Sequence, residues 1–178
     1  MKAVTQYNVV SRLLHWVSAL VFIGMFAVGL WMVDLSYYSE WYRTAPHWHK
    51  SIGILIITLT LIRFVWNRLI PTPEIEGSPF IKTAAHLGHL ALYGLILVIG
   101  TSGYLISTED GRGIEVFNWF EVPGIGKLFE GQADLAGEIH FYAAWALIIM
   151  ASVHALAAIK HHVIDKDNTL RKMIGGAK

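Results

Sequence analysis

The sequence contains no cysteine. Disulfides and metal sites built on thiolates are therefore excluded, and cysteine usage gives no indication of the redox compartment. Charged residues are also scarce, at 15% of the 178 residues, whereas 54% are hydrophobic and the mean hydropathy is +0.48. A soluble domain of this size is rarely so apolar, so the composition predicts an integral membrane protein.

Acidic residues are absent from four long apolar segments, each of which is long enough to cross a bilayer as a helix. These segments are residues 13–33, 49–66, 86–107 and 139–159. Lipid cannot satisfy the backbone hydrogen bonds of an open sheet, which leaves helices. The first segment is too long for a signal-peptide core and is kept as a span. We therefore expect an all-α membrane protein, a single four-helix bundle over residues 1–178.

The distribution of basic residues predicts how the bundle is oriented. Ten of the fourteen fall on the side that holds both termini and the loop after the second helix, namely Lys2, Arg12, Arg63, Arg68, Lys82, Lys160, Lys166, Arg171, Lys172 and Lys178. The opposite side has four basic residues against nine acidic ones. By the positive-inside rule, both termini are expected in the cytoplasm. We call the side with the termini the inner end and the acidic side the outer end.

The fourth segment contains His140 and His154, fourteen residues apart in an uncharged run. At about 100° and 1.5 Å per residue, fourteen steps return to nearly the same helix face about 21 Å further along. One histidine is thus expected near each edge of a hydrocarbon layer about 30 Å thick. His15 in the first segment matches the inner depth of His154, and His49 in the second matches the outer depth of His140.

Histidines at two matched depths on three helices indicate axial ligands for two iron centres rather than helix-packing hydrogen bonds. Imidazoles from two helices close the iron to other ligands and leave it able to pass single electrons. The third segment has histidines, His86 and His89, at its inner end alone, so it is expected to be a wall of the bundle. Gly53, one turn after His49, is expected to leave room for a flat ring.

Three cationic side chains are candidates for holding the acidic groups of such a cofactor. Arg63 lies fourteen residues after His49, on the same face at the inner end, where an arginine facing the bundle needs an anionic partner. Alternatively, the side chain of Arg63 extends toward the lipid headgroups at the inner end. Arg12, one turn before His15, is a weaker candidate for the same role, and Lys50 is the candidate at the outer end.

The connections between the segments differ in character. The outer loop 108–138 contains an apolar aromatic cluster, which is expected to anchor in the outer interface, in the form of a short helix over the end of the bundle. The cluster comprises Ile114, Val116, Phe117, Trp119, Phe120 and Val122. The short outer loop 34–48 contains His47. The inner loop is a proline-punctuated connector with no core of its own, and the polar, basic tail is suited to the inner surface.

Two other classes of protein remain open. His47-x-His49, His86-x-x-His89 and His161-His162 resemble the short ligand pairs of a metal-ion transporter. Transport of a hard or borderline cation normally requires carboxylates at mid-membrane depth, which these segments lack. A membrane-anchoring subunit that docks a partner oxidoreductase is the second alternative, and it leaves the fourteen-residue spacing unexplained.

Several motifs resemble the bacterial cytochrome b561 family, which is related to the di-haem b subunits of membrane hydrogenases and formate dehydrogenases. They are Ser11-Arg12-x-x-His15-Trp16, His49-Lys-Ser-Ile-Gly53, Ala85-His86-Leu-Gly-His89, Gly103-Tyr-Leu-Ile-Ser-Thr, the pair His140 and His154, and the ending His161-His162-x-Ile-Asp-Lys-Asp-Asn-Thr-Leu. The resemblance covers essentially the whole chain. It implies two haem b groups held by His49 with His140 and by His15 with His154, and electron exchange with the quinone pool.

A quinone site, with ubiquinone as substrate, is expected at the inner end beside His161, His89 and Arg63. His161 lies seven residues beyond His154, two turns further along roughly the same face. A histidine that titrates near neutrality could hydrogen-bond a quinone carbonyl and relay its proton. The alternative for His161 is contact with headgroups or with the last helical carbonyls.

The electron donor at the outer end is expected in the periplasm and stays unidentified. Some members of the family look like superoxide oxidases, which pass an electron from superoxide to ubiquinone. An acidic outer face is expected to repel so small an anion, although Lys50 or Arg43 could form a local positive funnel. The expected location is the bacterial inner membrane, with lipid around the helices and no nucleic-acid partner.

Overall fold

The computed structural model describes residues 4–176 and confirms the predicted all-α bundle. Its helices are α1 (Val9–Val33), α2 (Trp41–Leu69), α3 (Pro79–Thr108), α4 (Gln132–Val163) and α5 (Thr169–Ile174), and its strands are β1 (Ile114–Val116) and β2 (Phe120–Val122). In this range, four helices, α1 to α4, are long and apolar enough to cross a membrane. Lys2 and Lys178, which entered the charge distribution, lie outside the described residues.

The membrane helices extend beyond the predicted segments. α2 begins at Trp41 rather than at His49, so His47 lies in a helix and its placement in a loop was wrong. Pro46 is tolerated there because a proline in the opening turns of a helix removes few backbone hydrogen bonds. α3 begins at Pro79 rather than at His86. At this start, the side chain of Ser78 accepts a hydrogen bond from the amide of Ile81, and proline occupies the first turn.

The bundle consists of two tightly packed helix pairs. α3 packs most extensively against α4, and α1 against α2, whereas α1 and α4 approach each other closely at few positions. The most extensive pair, α3 with α4, is joined by the long outer loop, so the length of the connections does not decide this pairing. The two pairs therefore face each other across a space that side chains, rather than backbone contacts, must fill.

The outer loop forms a β-hairpin, so the short helix expected there was wrong. β1 and β2 are antiparallel, with Ile114 opposite Val122 and Val116 opposite Phe120. The sequence alternates apolar and acidic residues on both strands, which is the period of a strand rather than of a helix. Ile114 is 2% exposed and Val116 is fully buried, so the apolar face of the hairpin packs on the end of the bundle.

Buried polar side chains fix the outer loop to the helices. The hydroxyl of Ser51, which is fully buried on α2, accepts from the amide of Phe117 and donates to the carbonyl of Glu115. Gln132, also fully buried, accepts from the amide of Leu128 and donates to the carbonyl of Leu105. The loop is thus a fixed cover over the outer end, because breaking either contact would leave a buried polar group unsatisfied.

The inner end is closed by the C-terminal tail. Lys172, which is 9% exposed, donates to the carbonyl of Glu74 at 2.8 Å and pairs with Glu76 at 2.7 Å. The indole nitrogen of Trp16 donates to the carbonyl of Met173 at 3.1 Å, and the amide of Tyr7 donates to the carbonyl of Lys172 at 3.2 Å. The tail and the proline-containing connector are therefore packed against each other and against the start of α1, rather than lying separately on a surface.

Candidate functional site

Two pairs of histidine rings face each other between the helix pairs. His49 on α2 and His140 on α4 have ring centroids 6.2 Å apart, with planes at 68°. His15 on α1 and His154 on α4 have centroids 6.3 Å apart, with planes at 71°. These are the two pairs that the matched depths predict, one toward each end of the bundle. That each pair binds a haem stays a prediction.

The separation within each pair fits one iron between two imidazoles. Imidazole nitrogens bind such metals at about 2.0–2.1 Å, and a ring centroid lies about 1 Å behind its nitrogen, so rings on opposite sides of an iron have centroids roughly 6 to 6.5 Å apart. Both pairs fall in this range. The pair α1–α2 makes few close backbone contacts with the pair α3–α4. The residues present therefore fit haem at both levels.

Glycines let these rings lie against the neighbouring helices. A Cβ atom on Gly103 of α3 would be 3.1 Å from Cε1 of His140, and one on Gly29 of α1 would be 3.4 Å from Cε1 of His49. A Cβ atom on Gly53 would instead meet the methyl of Met25 at 3.7 Å. Sequence reasoning selected Gly53 and, on the third helix, Gly94, Gly100 and Gly103 as glycines that allow a ring or a helix to approach closely. It did not identify Gly29, because this glycine acts across helices and has no fixed spacing from His49.

Hydrogen bonding determines which nitrogen of His140 can bind a metal. Its Nδ1 lies 3.0 Å from the carbonyl oxygen of Ile99 and 3.4 Å from the hydroxyl of Ser102. A carbonyl accepts only, so Nδ1 carries the proton and donates, which leaves the lone pair on Nε2. This is the arrangement by which a backbone carbonyl commonly orients a metal-binding histidine. His49 has a buried Nδ1 with no hydrogen-bond partner in residues 4–176.

A third histidine shares the inner level. The ring of His89 on α3 lies 5.3 Å from that of His154, which is closer than two imidazoles on opposite sides of one iron require. Sequence reasoning treated α3 as a wall because the helix has histidines at its inner end alone, and it considered His89 only for the quinone site. The earlier start at Pro79 places His89 about 15 Å along the helix, level with His15 and His154. The signal was available in Ser78-Pro79, a capping residue followed by proline.

Unsatisfied donors collect at the inner end. Within the described range, buried nitrogens without a hydrogen-bond partner include Nε of Arg12, Nε of Arg63, Nε1 of Trp66 and Nδ1 of His162. The guanidinium of Arg63 lies 6.0 Å from the ring centroid of Tyr93. Burial raises the pKa of Tyr7, which precedes α1, and the nearby Arg63 opposes that rise. Arg12 and Arg63 are two of the cations that the sequence selects as partners for the acidic groups of a cofactor, and that role stays a prediction.

The remaining predicted site residues lie at the two ends. His161 places Nδ1 2.7 Å from Oδ2 of Asp165 and 3.5 Å from Oδ2 of Asp167. Hydrogen bonds from Lys160 and His161 hold the pKa of Asp165 below its usual range, so it is a carboxylate at neutral pH. Among the ring contacts of the described residues, none joins His161 to His89 or His154.

Lys50 is near an acidic group at the outer end. It lies close enough to Asp110 to contribute to the lowered pKa of that carboxyl, whose main cause is hydrogen bonding from Arg112. Arg112 and Asp110 form an ion pair. The positive charge of Lys50 is therefore partly offset by a carboxylate, which weakens any local positive funnel.

Comparison with known proteins shows the family to which the chain is similar. A family model described as prokaryotic cytochrome b561 matches residues 6–176. The chain is 51% identical over 172 residues to "Cytochrome b561 homolog 2" of Escherichia coli (strain K12), covering 96% of this chain and 92% of that protein. It is 30% identical over 172 residues to "Probable superoxide oxidase CybB" of Yersinia pestis, covering 95% and 96% of the two chains. It is 28% identical over 173 residues to "Cytochrome b562" of Cereibacter sphaeroides, covering 94% of each.

Proposed function

Because the chain belongs to the prokaryotic cytochrome b561 family, we propose that it passes single electrons between a donor at its outer end and the quinone pool. Membership in this family implies haem b and makes the chain a multi-pass protein of the bacterial inner membrane. The observation that carries the proposal is the presence of two histidine pairs, with ring separations of 6.2 and 6.3 Å, at two levels of one bundle.

The proposal assigns one haem b to each pair, His49 with His140 and His15 with His154. A bound haem supplies an iron that changes its charge by one electron. The chain's own residues orient it: the carbonyl of Ile99 fixes the tautomer of His140, and the glycines at 29 and 103 let the rings lie against α1 and α3. Since α4 supplies a ligand at each level about 21 Å apart, two such groups in series extend across most of the membrane thickness.

Basic side chains are assigned to the acidic edges of the haems. Arg63 and Arg12 have buried Nε atoms without partners in the described range, which supports a role at the inner haem. Lys50, at the outer end, is the candidate there. We place both termini in the cytoplasm on the distribution of basic residues.

For the quinone, we assign the inner end, near His161, with His89 and Arg63 as further candidates and ubiquinone as the substrate. Quinone reduction takes two electrons and two protons, so a group that exchanges protons with the cytoplasm must lie beside the site. His161 is a partly buried imidazole whose Nδ1 contacts the carboxylate of Asp165 at 2.7 Å. With Nδ1–H donating to Asp165, the Nε2 of His161 is the nitrogen available to exchange a proton with a quinone oxygen.

The test is quinone reduction by a His161→Ala variant that retains both haems. Loss of a positioned proton donor should lower turnover by about 10²-fold, the smaller end of the usual effect of a general acid. His86→Ala, which changes an exposed histidine at the same end, is the matched control and should turn over normally. Unimpaired turnover and unchanged apparent quinone affinity in His161→Ala would refute the assignment.

Superoxide is a second candidate donor, supported by the name of the Yersinia pestis relative. Against it stand the acidic excess at the outer end and the carboxylate beside Lys50. Glu115 and Glu121 face each other on the exposed side of the hairpin and add negative charge there. This charge favours a cationic or protein donor over a small anion.

The metal-transporter alternative receives no support from the structure. In residues 4–176, no group of three or more His, Cys, Asp or Glu side chains could hold a metal ion. The anchoring alternative is compatible with membership in the family, since the family alone does not give the partner. A redox difference spectrum with pyridine-haem quantitation of the purified protein separates a haem carrier from a transporter directly.

A further inference from the structure

The indole nitrogen of Trp66 is a buried donor that nothing described so far uses. Trp66 lies near the inner end of α2, and its Nε1 has no hydrogen-bond partner in the described residues. An indole N–H can donate but not accept. Leaving such a donor unpaired in an apolar environment is unfavourable, because its hydrogen bond to water is lost without replacement. A tryptophan that served only as an interface anchor would turn this edge toward water or headgroups.

Trp66 shares its position with a second unpaired donor. Arg63 precedes it by three residues, which is one helical turn, so the two side chains are neighbours on the surface of α2. The Nε of Arg63 is also buried without a partner in residues 4–176. Arginine, like the indole, has donors only. Two adjacent buried groups that can only donate require an acceptor-only partner, and an oxygen anion has that chemistry.

The packing of α1 against α2 places this pair beside the inner histidines. The hydroxyl of Ser11 donates to Oδ1 of Asn67 at 2.8 Å, and Ser11 is 2% exposed, so this contact fixes the register of the two helices. His15 lies one turn after Ser11 on α1, and Arg63 lies one turn before Asn67 on α2. Because consecutive helices run in opposite directions, Arg63 is level with His15.

We propose that Trp66 and Arg63 together bind a carboxylate of the inner haem, with the indole N–H and the guanidinium donating to its oxygens. This assignment rests on the proposed function, since it requires a haem at His15 and His154. It adds Trp66 as a binding residue, and it gives both unpaired donors one acceptor. A haem carboxylate and a lipid phosphate both supply oxygen anions at this depth. The test below distinguishes these two sources.

The proposal predicts a change in the redox potential of one haem. A carboxylate near the iron favours the oxidised, more positive state, and hydrogen bonds to that carboxylate reduce this effect. Trp66→Phe keeps the apolar ring but removes the N–H, so the inner haem should become harder to reduce. We expect the ratio of reduced to oxidised inner haem at a fixed potential to fall about tenfold, which corresponds to 59 mV for one electron.

The experiment is a spectroscopic redox titration of the purified holoprotein. The variants are Trp66→Phe, Arg63→Gln and the double variant, and Trp145→Phe, whose indole lies 4.9 Å from Phe26 instead, is the matched control. If both side chains bind one carboxylate, the two shifts are not additive, because removing either donor already loosens the group. The outer haem and the Trp145→Phe variant should keep the wild-type potentials.

The outcomes separate the inference from the function on which it rests. An inner-haem potential in Trp66→Phe equal to that of the wild type, or a shift of the same size in both haems, would overturn the inference while leaving two haems in place. A shift that disappears when the holoprotein is titrated free of phospholipid, in a non-ionic detergent that contains no phosphate, would also overturn it, because the anion would then be a lipid phosphate. A purified wild type without haem would instead overturn the proposed function.

Discussion

Replacing His140 by alanine is expected to remove the outer haem and leave the inner one. The variant should contain one haem per chain instead of two, because a site that loses an axial ligand is weakened by more than the about 10–100-fold typical of an outer-shell partner. The remaining haem should keep its low-spin spectrum, since His15 and His154 are untouched. Pyridine-haem quantitation and a redox difference spectrum measure both properties.

Two further variants sharpen this result. His47→Ala changes another histidine at the outer end of the same bundle and should retain both haems. Gly103→Ala would place a methyl group 3.1 Å from Cε1 of His140, so it should weaken haem binding at the outer site, but by less than His140→Ala. Gly94→Ala on the same helix is the control, because its methyl group meets nothing within 4 Å. Two low-spin haems in the His140→Ala protein would contradict the pairing.

His15→Ala is expected to remove the inner haem, whereas His89→Ala is expected to retain it. The rings of His15 and His154 are 6.3 Å apart, which accommodates an iron, but those of His89 and His154 are 5.3 Å apart, which is too close for a straight arrangement. The measurement is haem content together with the spectrum of the remaining haem. Three histidines lie at the inner level, and one iron needs two of them as ligands. Comparing the two variants therefore shows which histidine pairs with His154.

The reverse result would move the inner ligand from α1 to α3. If His89→Ala lost the inner haem and His15→Ala kept it in a low-spin state, the pair would be His89 and His154. Loss of the outer haem in either variant would show that the effect spreads through the fold. His86→Ala, one turn before His89 and exposed, controls for a general disturbance of α3.

The histidine pairs could be predicted because they depend on helix geometry alone. The spacing between His140 and His154 places them on one face of α4, and a bilayer of known thickness then sets which partners are level with them. No neighbouring residue needs to be known for that step. The two pairs of facing rings are therefore the part of the candidate site that can be predicted most directly from the sequence.

Other parts depended on contacts between segments and could not be predicted in this way. The helix starts at Trp41 and Pro79 lie in sequences of mixed polarity, so hydropathy placed both starts too late and left His47 in a loop. The hairpin was taken for a helix because its aromatic content was weighed above its period-two alternation. The role of Gly29 follows from how α1 and α2 pack, which no local pattern records.

The contribution of α4 to both histidine pairs also determines when the protein can acquire its cofactors. Ribosomes synthesise a chain from its N-terminus at about 5–20 residues per second, and α4, Gln132–Val163, is the last membrane helix to be made. Until then, α1 and α2 present His15 and His49 without their counterparts. If each pair binds a haem as proposed, loading at either level follows insertion of α4, and a chain stopped before α4 is expected to hold neither haem between two histidines.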